Sequence, residues 1–110
     1  MECIFCKIIN HQKKVDIVYE DEQFIVFKDI NPKALIHLLI VPKKHIETID
    51  DLKEEDRELI SEIIFLAKRI ALEQGIIKKG YRLIFNVGKG GGQTVDHIHL
   101  HLMSGALKNE

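Results

Sequence analysis

The chain has 110 residues, 45% of them hydrophobic and 30% charged, with a formal net charge of -1. That length supports one core and leaves no room for a second, so residues 1–110 are expected to form a single domain. The near-neutral balance excludes a global basic field for nucleic acid and favours a small-molecule partner.

The N-terminal stretch MECIFCKIINHQKK has no basic leader followed by a long apolar run, which predicts a cytoplasmic protein with no membrane segment. Residues 4–11 (IFCKIINH) read as a short helix. Asp16 to Glu20 and Phe24 to Lys28 read as two strands of a hairpin joined by the acidic turn Glu20-Asp21-Glu22. Phe24 and Phe27 are expected to pack on the sheet. Leu35 to Val41 is a near-continuous apolar run stopped by Pro42, a buried strand in which His37 is the only polar member.

From Leu52 to Glu73 the residues Leu59, Ile60, Ile63, Ile64, Ala67, Ile70 and Ala71 recur at helical spacing. Asp50 or Asp51 is available as N-cap and Gly75 as stop, and the charged run Lys53 to Glu58 reads as a solvated first turn. Phe65 and Leu66 widen the apolar surface beyond one stripe, which fits a helix covered on two sides and a contact with a second copy. Tyr81 to Val87 then reads as a strand, followed by the glycine-rich loop Gly88-Lys89-Gly90-Gly91-Gly92 and a final strand. The order suits an α+β fold, an antiparallel sheet of about five strands with one long helix and a short N-terminal helix.

The final strand carries the chemistry. His97, His99 and His101 alternate with Ile98, Leu100 and Leu102, so half of the six histidines fall in five positions, and strand periodicity puts the imidazoles on one face. Imidazole serves as nucleophile, general base or metal ligand, so the row is a catalytic surface, a metal site or both. As strand neighbours the outer two stand about 13 Å apart, too far for all three to reach one ion at about 2.0 to 2.1 Å.

The glycine loop lacks the Lys-Ser/Thr of a phosphate-binding loop, has Gln93 and Thr94 in that place, and leads into a strand, so on its own it reads as a hairpin connection. The Cys3-x-x-Cys6 pair has the spacing of half a tetrahedral zinc site that histidines could complete. A redox role lacks the preceding strand it would need, and buried free thiols are the plain alternative. His11, in a polar run, is assigned no role.

The run His97-Ile98-His99-Leu100-His101-Leu102-Met103 resembles the signature of the histidine triad (HIT) superfamily. The resemblance to its Hint branch extends to Gly91-Gly92-Gln93-Thr94-Val95, Leu39-Ile40-Val41-Pro42-Lys43-Lys44-His45, Lys28-Asp29-Ile30-Asn31-Pro32 and Ile4-Phe5-Cys6-Lys7-Ile8-Ile9, in order along the chain. It implies a homodimer that cleaves purine nucleoside phosphoramidates through a covalent nucleotidyl-histidine. His99 would be the nucleophile, His101 would contact the α-phosphate and His37 would support the histidine network. Asp29 would hold the ribose, Asn86, Gln93 and Thr94 the phosphate, and Phe5 and Ile30 the base. The resemblance also implies a structural zinc on Cys3, Cys6, His45 and His97, although spacing alone does not choose His45 over His11 or His37.

Two features depart from animal Hint proteins. The chain has no Trp, so their tryptophan-containing tail has no counterpart and leaving-group preference stays open. Lys28 stands where they have a histidine, which bears on base selectivity. Dinucleoside polyphosphate hydrolysis is the alternative within the same enzyme class, and a nucleotide-binding regulatory module with incidental catalysis is the alternative outside it.

Overall fold

The computed structural model describes residues 3–107. Helix α1 (Ile4–Ile9) leads to strands β1 (Ile17–Glu20), β2 (Phe24–Lys28) and β3 (Ala34–Pro42), then to the long helix α2 (Arg57–Glu73) and strands β4 (Arg82–Ile84) and β5 (Leu100–Leu107). The strands form one antiparallel five-stranded sheet in the order β1-β2-β3-β5-β4. This is the expected α+β architecture. Among the described residues, no helix is long and apolar enough to cross a membrane. The C-terminal residues, where the tail of animal Hint proteins would begin, lie outside the described residues.

Strand alternation sorts the central residues between two faces. Phe24, Val26, Leu38, Ile40, Leu100 and Leu102 pack with Ile63, Ala67 and Ile70 of α2. Their alternates Ile25, Phe27, Leu39 and Val41 pack with Phe5 and Ile8 of α1. Because β2 and β3 are covered on both faces, they read as continuous apolar runs. Leu39 pairs with His101 and Leu38 with Leu102, so the register commits His101 to the α1 face and its apolar neighbours to the α2 face. His37, paired with Met103, lies diagonally across from His101 on the same face.

The β1–β2 turn is built as its composition suggests, with Asp21 Oδ1 accepting the amides of Gln23 and Phe24 at 2.8 Å each. The long helix begins later than its periodicity indicates. Thr48, not Asp50 or Asp51, caps a separate 3₁₀ turn over Ile49–Asp51, and a second 3₁₀ turn occupies Glu54–Asp56 before α2 starts at Arg57. Asp56 forces that break: its buried carboxylate accepts Lys44 Nζ at 2.6 Å and the Lys53 amide at 2.9 Å, anchoring the start of α2 to the segment after β3.

At the far end Gln74 closes α2 and Gly75, with φ of 71°, turns the chain away. Leu66 is a core residue at 8% exposure and Phe65 faces outward at 66%; the outer apolar stripe is Phe65 with Leu72, seven residues further on. The expected strand over Tyr81 to Val87 is only three residues long, because it pairs at the sheet edge with β5 alone.

Candidate functional site

The histidine row does not form one uninterrupted strand. The ladder of β5 begins at Leu100, and His97 to His99 approach it through a bend held by His97 N–H donating to Val95 O at 2.9 Å and Ile98 N–H donating to Ile46 O at 2.7 Å. That bend gives each triad histidine a different environment.

His97 is fully buried and faces the N-terminus. Its Nδ1 lies 3.5 Å from Cys3 Sγ, 3.7 Å from Cys6 Sγ and 3.0 Å from His45 Nδ1, while Cys6 Sγ lies 3.3 Å from His45 Nδ1. All four donor atoms fall within 4.8 Å of one another. A tetrahedral ion bound at ordinary thiolate and imidazole distances has edges of about 3.3 to 3.8 Å, so the set fits a metal with little adjustment. His97 Nε2 donates to Pro42 O at 2.8 Å, which leaves Nδ1 as the lone-pair nitrogen that a metal needs. In the metal-free chain, burial pushes His97 down to about 4. The fold thus selects His45 over His11, which meets Glu20 on the surface, and over His37.

His99 is buried at 5% exposure. Its Nδ1 lies 2.7 Å from His97 O. A carbonyl only accepts, so Nδ1 carries the proton and Nε2 is the free lone-pair nitrogen. The Phe5 ring meets His99 edge-on at 5.0 Å between centroids. Burial lowers the pKa of His99, which keeps the imidazole neutral.

His101 has the opposite tautomer. The Lys33 amide donates to His37 Nδ1 at 2.9 Å, so His37 carries its proton on Nε2. That proton is directed at His101 Nδ1, 2.9 Å away, and His101 therefore holds its own proton on Nε2. The Asn86 Nδ2 position lies 3.4 Å from that Nε2, and pairing with its proton requires the carboxamide to be turned so that its oxygen accepts there. Asp29 Oδ2 stands 3.4 Å from His37 Nε2 and favours the same arrangement. Burial also pushes His101 down to about 4 and lowers His37. Asp29, His37 and His101 bring donor atoms within 4.8 Å as a metal site would. The Lys33 amide argues against an ion there, since a neutral His37 ligating through Nε2 would need a proton on Nδ1, where that amide already points.

Two clefts meet over these histidines. One, of about 220 Å³, is mainly apolar, lined by Phe5, Ile8, Val15, Phe27 and Leu39, with His99 on its wall. The other, of about 510 Å³, is more polar, with Lys33, His37, Asn86 and Gly92 around it. Asp29, Asn31, Thr94 and His101 belong to both. Ile30 lines the apolar cleft at its rim, 72% exposed.

The fold therefore gathers Phe5, Asp29, Ile30, Asn86, Thr94, His99, His101 and His37 around one continuous space. Gln93 is different: it lines neither cleft, and its side chain is committed to backbone bonds. Ile8, Val15, Phe27 and Leu39 were not legible as site residues, because they look like ordinary core; only the pairing of β2 with β3 under α1 opens a cleft beside them.

A family model described as "Scavenger mRNA decapping enzyme C-term binding" matches residues 2–110. A HIT family hydrolase from Legionella pneumophila superposes with a TM-score of 0.93 at 50% identity, covering 96% of this chain and 94% of that one. The chain belongs to the histidine triad family. It is a HIT hydrolase, consistent with its 44% identity over 104 residues to the purine nucleoside phosphoramidase of Escherichia coli K12, covering 94% of this chain and 87% of that enzyme. A zinc-bound histidine triad protein from Mycobacterium smegmatis also shares the fold, with a TM-score of 0.83 at 33% identity, covering 100% of this chain and 79% of that one. Cys3, Cys6, His45 and His97 can hold a metal in this HIT protein.

Proposed function

We propose that this HIT protein hydrolyses purine nucleoside phosphoramidates through a nucleotide covalently bound to His99. The observation that carries the reading is a pair of contacts, His99 Nδ1 to His97 O and His37 Nε2 to His101 Nδ1, which assign a lone pair to His99 Nε2 and a proton to His101 Nε2, with ring centroids 4.9 Å apart. The nucleobase occupies the apolar cleft against Phe5 and Ile30, and Asp29 takes the ribose hydroxyls. The phosphate lies near Thr94, Asn86 and His101, where the clefts join. His99 Nε2 attacks phosphorus, the P–N bond to the amine breaks, and the leaving nitrogen takes the proton of His101 Nε2. Water then opens the phosphoimidazolium, adding its oxygen to phosphorus and returning a proton to His101 Nε2, which releases the nucleoside monophosphate and frees His99.

Cys3, Cys6, His45 and His97 hold zinc in this reading. The thiolate pair suits that ion, and the M. smegmatis relative is zinc-bound. Zinc there supplies a structural cross-link between the N-terminus and the bend before β5. The protein works as a cytoplasmic homodimer, for which the exposed Phe65 and Leu72 of α2 offer an apolar contact.

Intact-protein mass spectrometry during brief incubation with an adenosine phosphoramidate tests the reading. One AMP adduct on the wild type, absent from His99→Ala, is the expected result. Product without an adduct would point to direct attack by water, and a preference for a diadenosine polyphosphate by orders of magnitude would change the substrate class.

A further inference from the structure

Gln93 is the only glutamine of the site and is buried at 5% exposure, yet it touches neither cleft. Its carbonyl Oε1 accepts the Gly88 amide at 2.9 Å, and its Nε2 donates to Glu47 O at 2.6 Å and to Val95 O at 2.9 Å. Exchanging the two ends of the carboxamide would set a donor against an amide and an acceptor against two carbonyls, so the three contacts fix its orientation. Both side-chain N–H groups are spent. The backbone of Gln93 also donates to Gly88 O at 3.0 Å, which closes a ring with the Oε1 contact.

These bonds join the start of the glycine loop at Gly88, the segment just after His45 at Glu47, and Val95 beside Thr94. Ile98 N–H, donating to Ile46 O at 2.7 Å, clasps two of these three segments, those of Glu47 and Val95, a second time. We infer that Gln93 is a positioning residue: with no hydrogen left to give a phosphate, it pins the glycine loop and Thr94 against the corner that holds His45 and His97, and so presets the anion side of the site. The inference rests on the nucleotide reading above. It goes beyond that reading by assigning recognition of the phosphate to Thr94 and its neighbours, with Gln93 acting through the backbone.

Two measurements on the zinc-loaded protein test it. In the wild type, amide hydrogen exchange at Gly88 is followed by NMR with and without AMP. The expected result is that Gly88 stays protected when AMP binds. Loss of protection would mean that Gln93 swings to the phosphate, and would overturn the inference.

The second compares AMP with adenosine in Gln93→Ala and Gln93→Glu. AMP affinity should fall by about tenfold or more while adenosine affinity stays within about twofold, because Val95 O keeps its bond from His97 N–H and the apolar cleft its packing. Unchanged AMP affinity, or equal weakening of both ligands, would also overturn it. If Gln93→Ala does not fold, the wild-type exchange decides alone. Failure of the wild type to bind AMP at all would defeat the nucleotide reading itself, and this inference with it, whereas AMP binding that ignores Gln93 defeats the inference alone.

Discussion

His37 Nε2 lies 2.9 Å from His101 Nδ1, and the other nitrogen of His37 is held by the Lys33 amide at 2.9 Å. A backbone donor thus fixes the tautomer of one histidine, which fixes that of the next, and a proton emerges on His101 where a leaving group would need it. Removing His37 should leave the cleft intact but free His101 to hold its proton on the wrong nitrogen. His37→Leu is expected to lower kcat about 100-fold with KM changed less than about threefold. His37→Gln, which can still accept from Lys33 and donate to His101, should recover part of that loss. Steady-state kinetics on a fluorogenic phosphoramidate reads both, and equal kcat values for the two variants would remove His37 from the relay.

Metal loss should act on the nucleotide cleft through α1. Cys3 and Cys6 bracket Phe5, whose ring packs on both His97 and His99, at 5.9 Å and 5.0 Å between centroids. Stripping the metal with a strong chelator, or Cys6→Ser, is expected to cost at least about 2 kcal/mol, roughly 10 °C in Tm for a domain of this size. AMP affinity should weaken as Phe5 loosens. Calorimetry with metal analysis by mass spectrometry checks this; a chelator-treated protein with unchanged Tm and no bound metal would show that the corner stands on packing alone.

His101 makes acid destabilising. Its folded pKa of about 4 lies below the ordinary histidine value of 6.5 because burial disfavours the imidazolium and the neighbouring His99 and His37 add to the effect, against the pull of Asp29. Between those two values the unfolded chain binds more protons at this site, so stability falls as pH drops from about 6.5 towards about 4 and is level above that window. Urea unfolding of the wild type and of His101→Gln across this range isolates the effect. The variant should lose its stability less steeply, and parallel curves would mean that His101 does not titrate there.

Glycine is needed at Gly92 and not at Gly90. Gly92 has φ of 87°, although a Cβ there would meet nothing closer than Asn86 Cγ at 3.9 Å, whereas Gly90 has ordinary φ and open space around it. Gly92→Ala should therefore cost about 1 to 2 kcal/mol through backbone strain without any clash, and Gly90→Ala should be neutral or slightly stabilising. Chemical denaturation separates them, and equal costs would mean that the loop relaxes freely.

Local pattern was enough for much of this protein. The two-residue alternation of His97 to Leu102, the apolar runs of β2 and β3 and the periodicity of α2 follow from which residues can share a face, and each needs only a short window of sequence. The same windows marked Cys3, Cys6, His99 and His101 as residues with chemistry to do, and the resemblance to the histidine triad family added Asp29. Tertiary structure decided how those groups are used.

The choice of His45 as fourth partner depends on bringing Cys3 and His97 together across 94 positions. The start of α2 depends on Asp56 turning inward to Lys44, and the direction of Gln93 depends on carbonyls from two separate segments. The carbonyl of His97, two residues back, sets the tautomer of His99, whereas that of His101 is set through His37 by the amide of Lys33, which lie far from it in sequence. Secondary structure and the tautomer of His99 are set by neighbours along the chain, whereas the tautomer of His101 and the ligand set at His97 are fixed by groups that meet only once the sheet has paired.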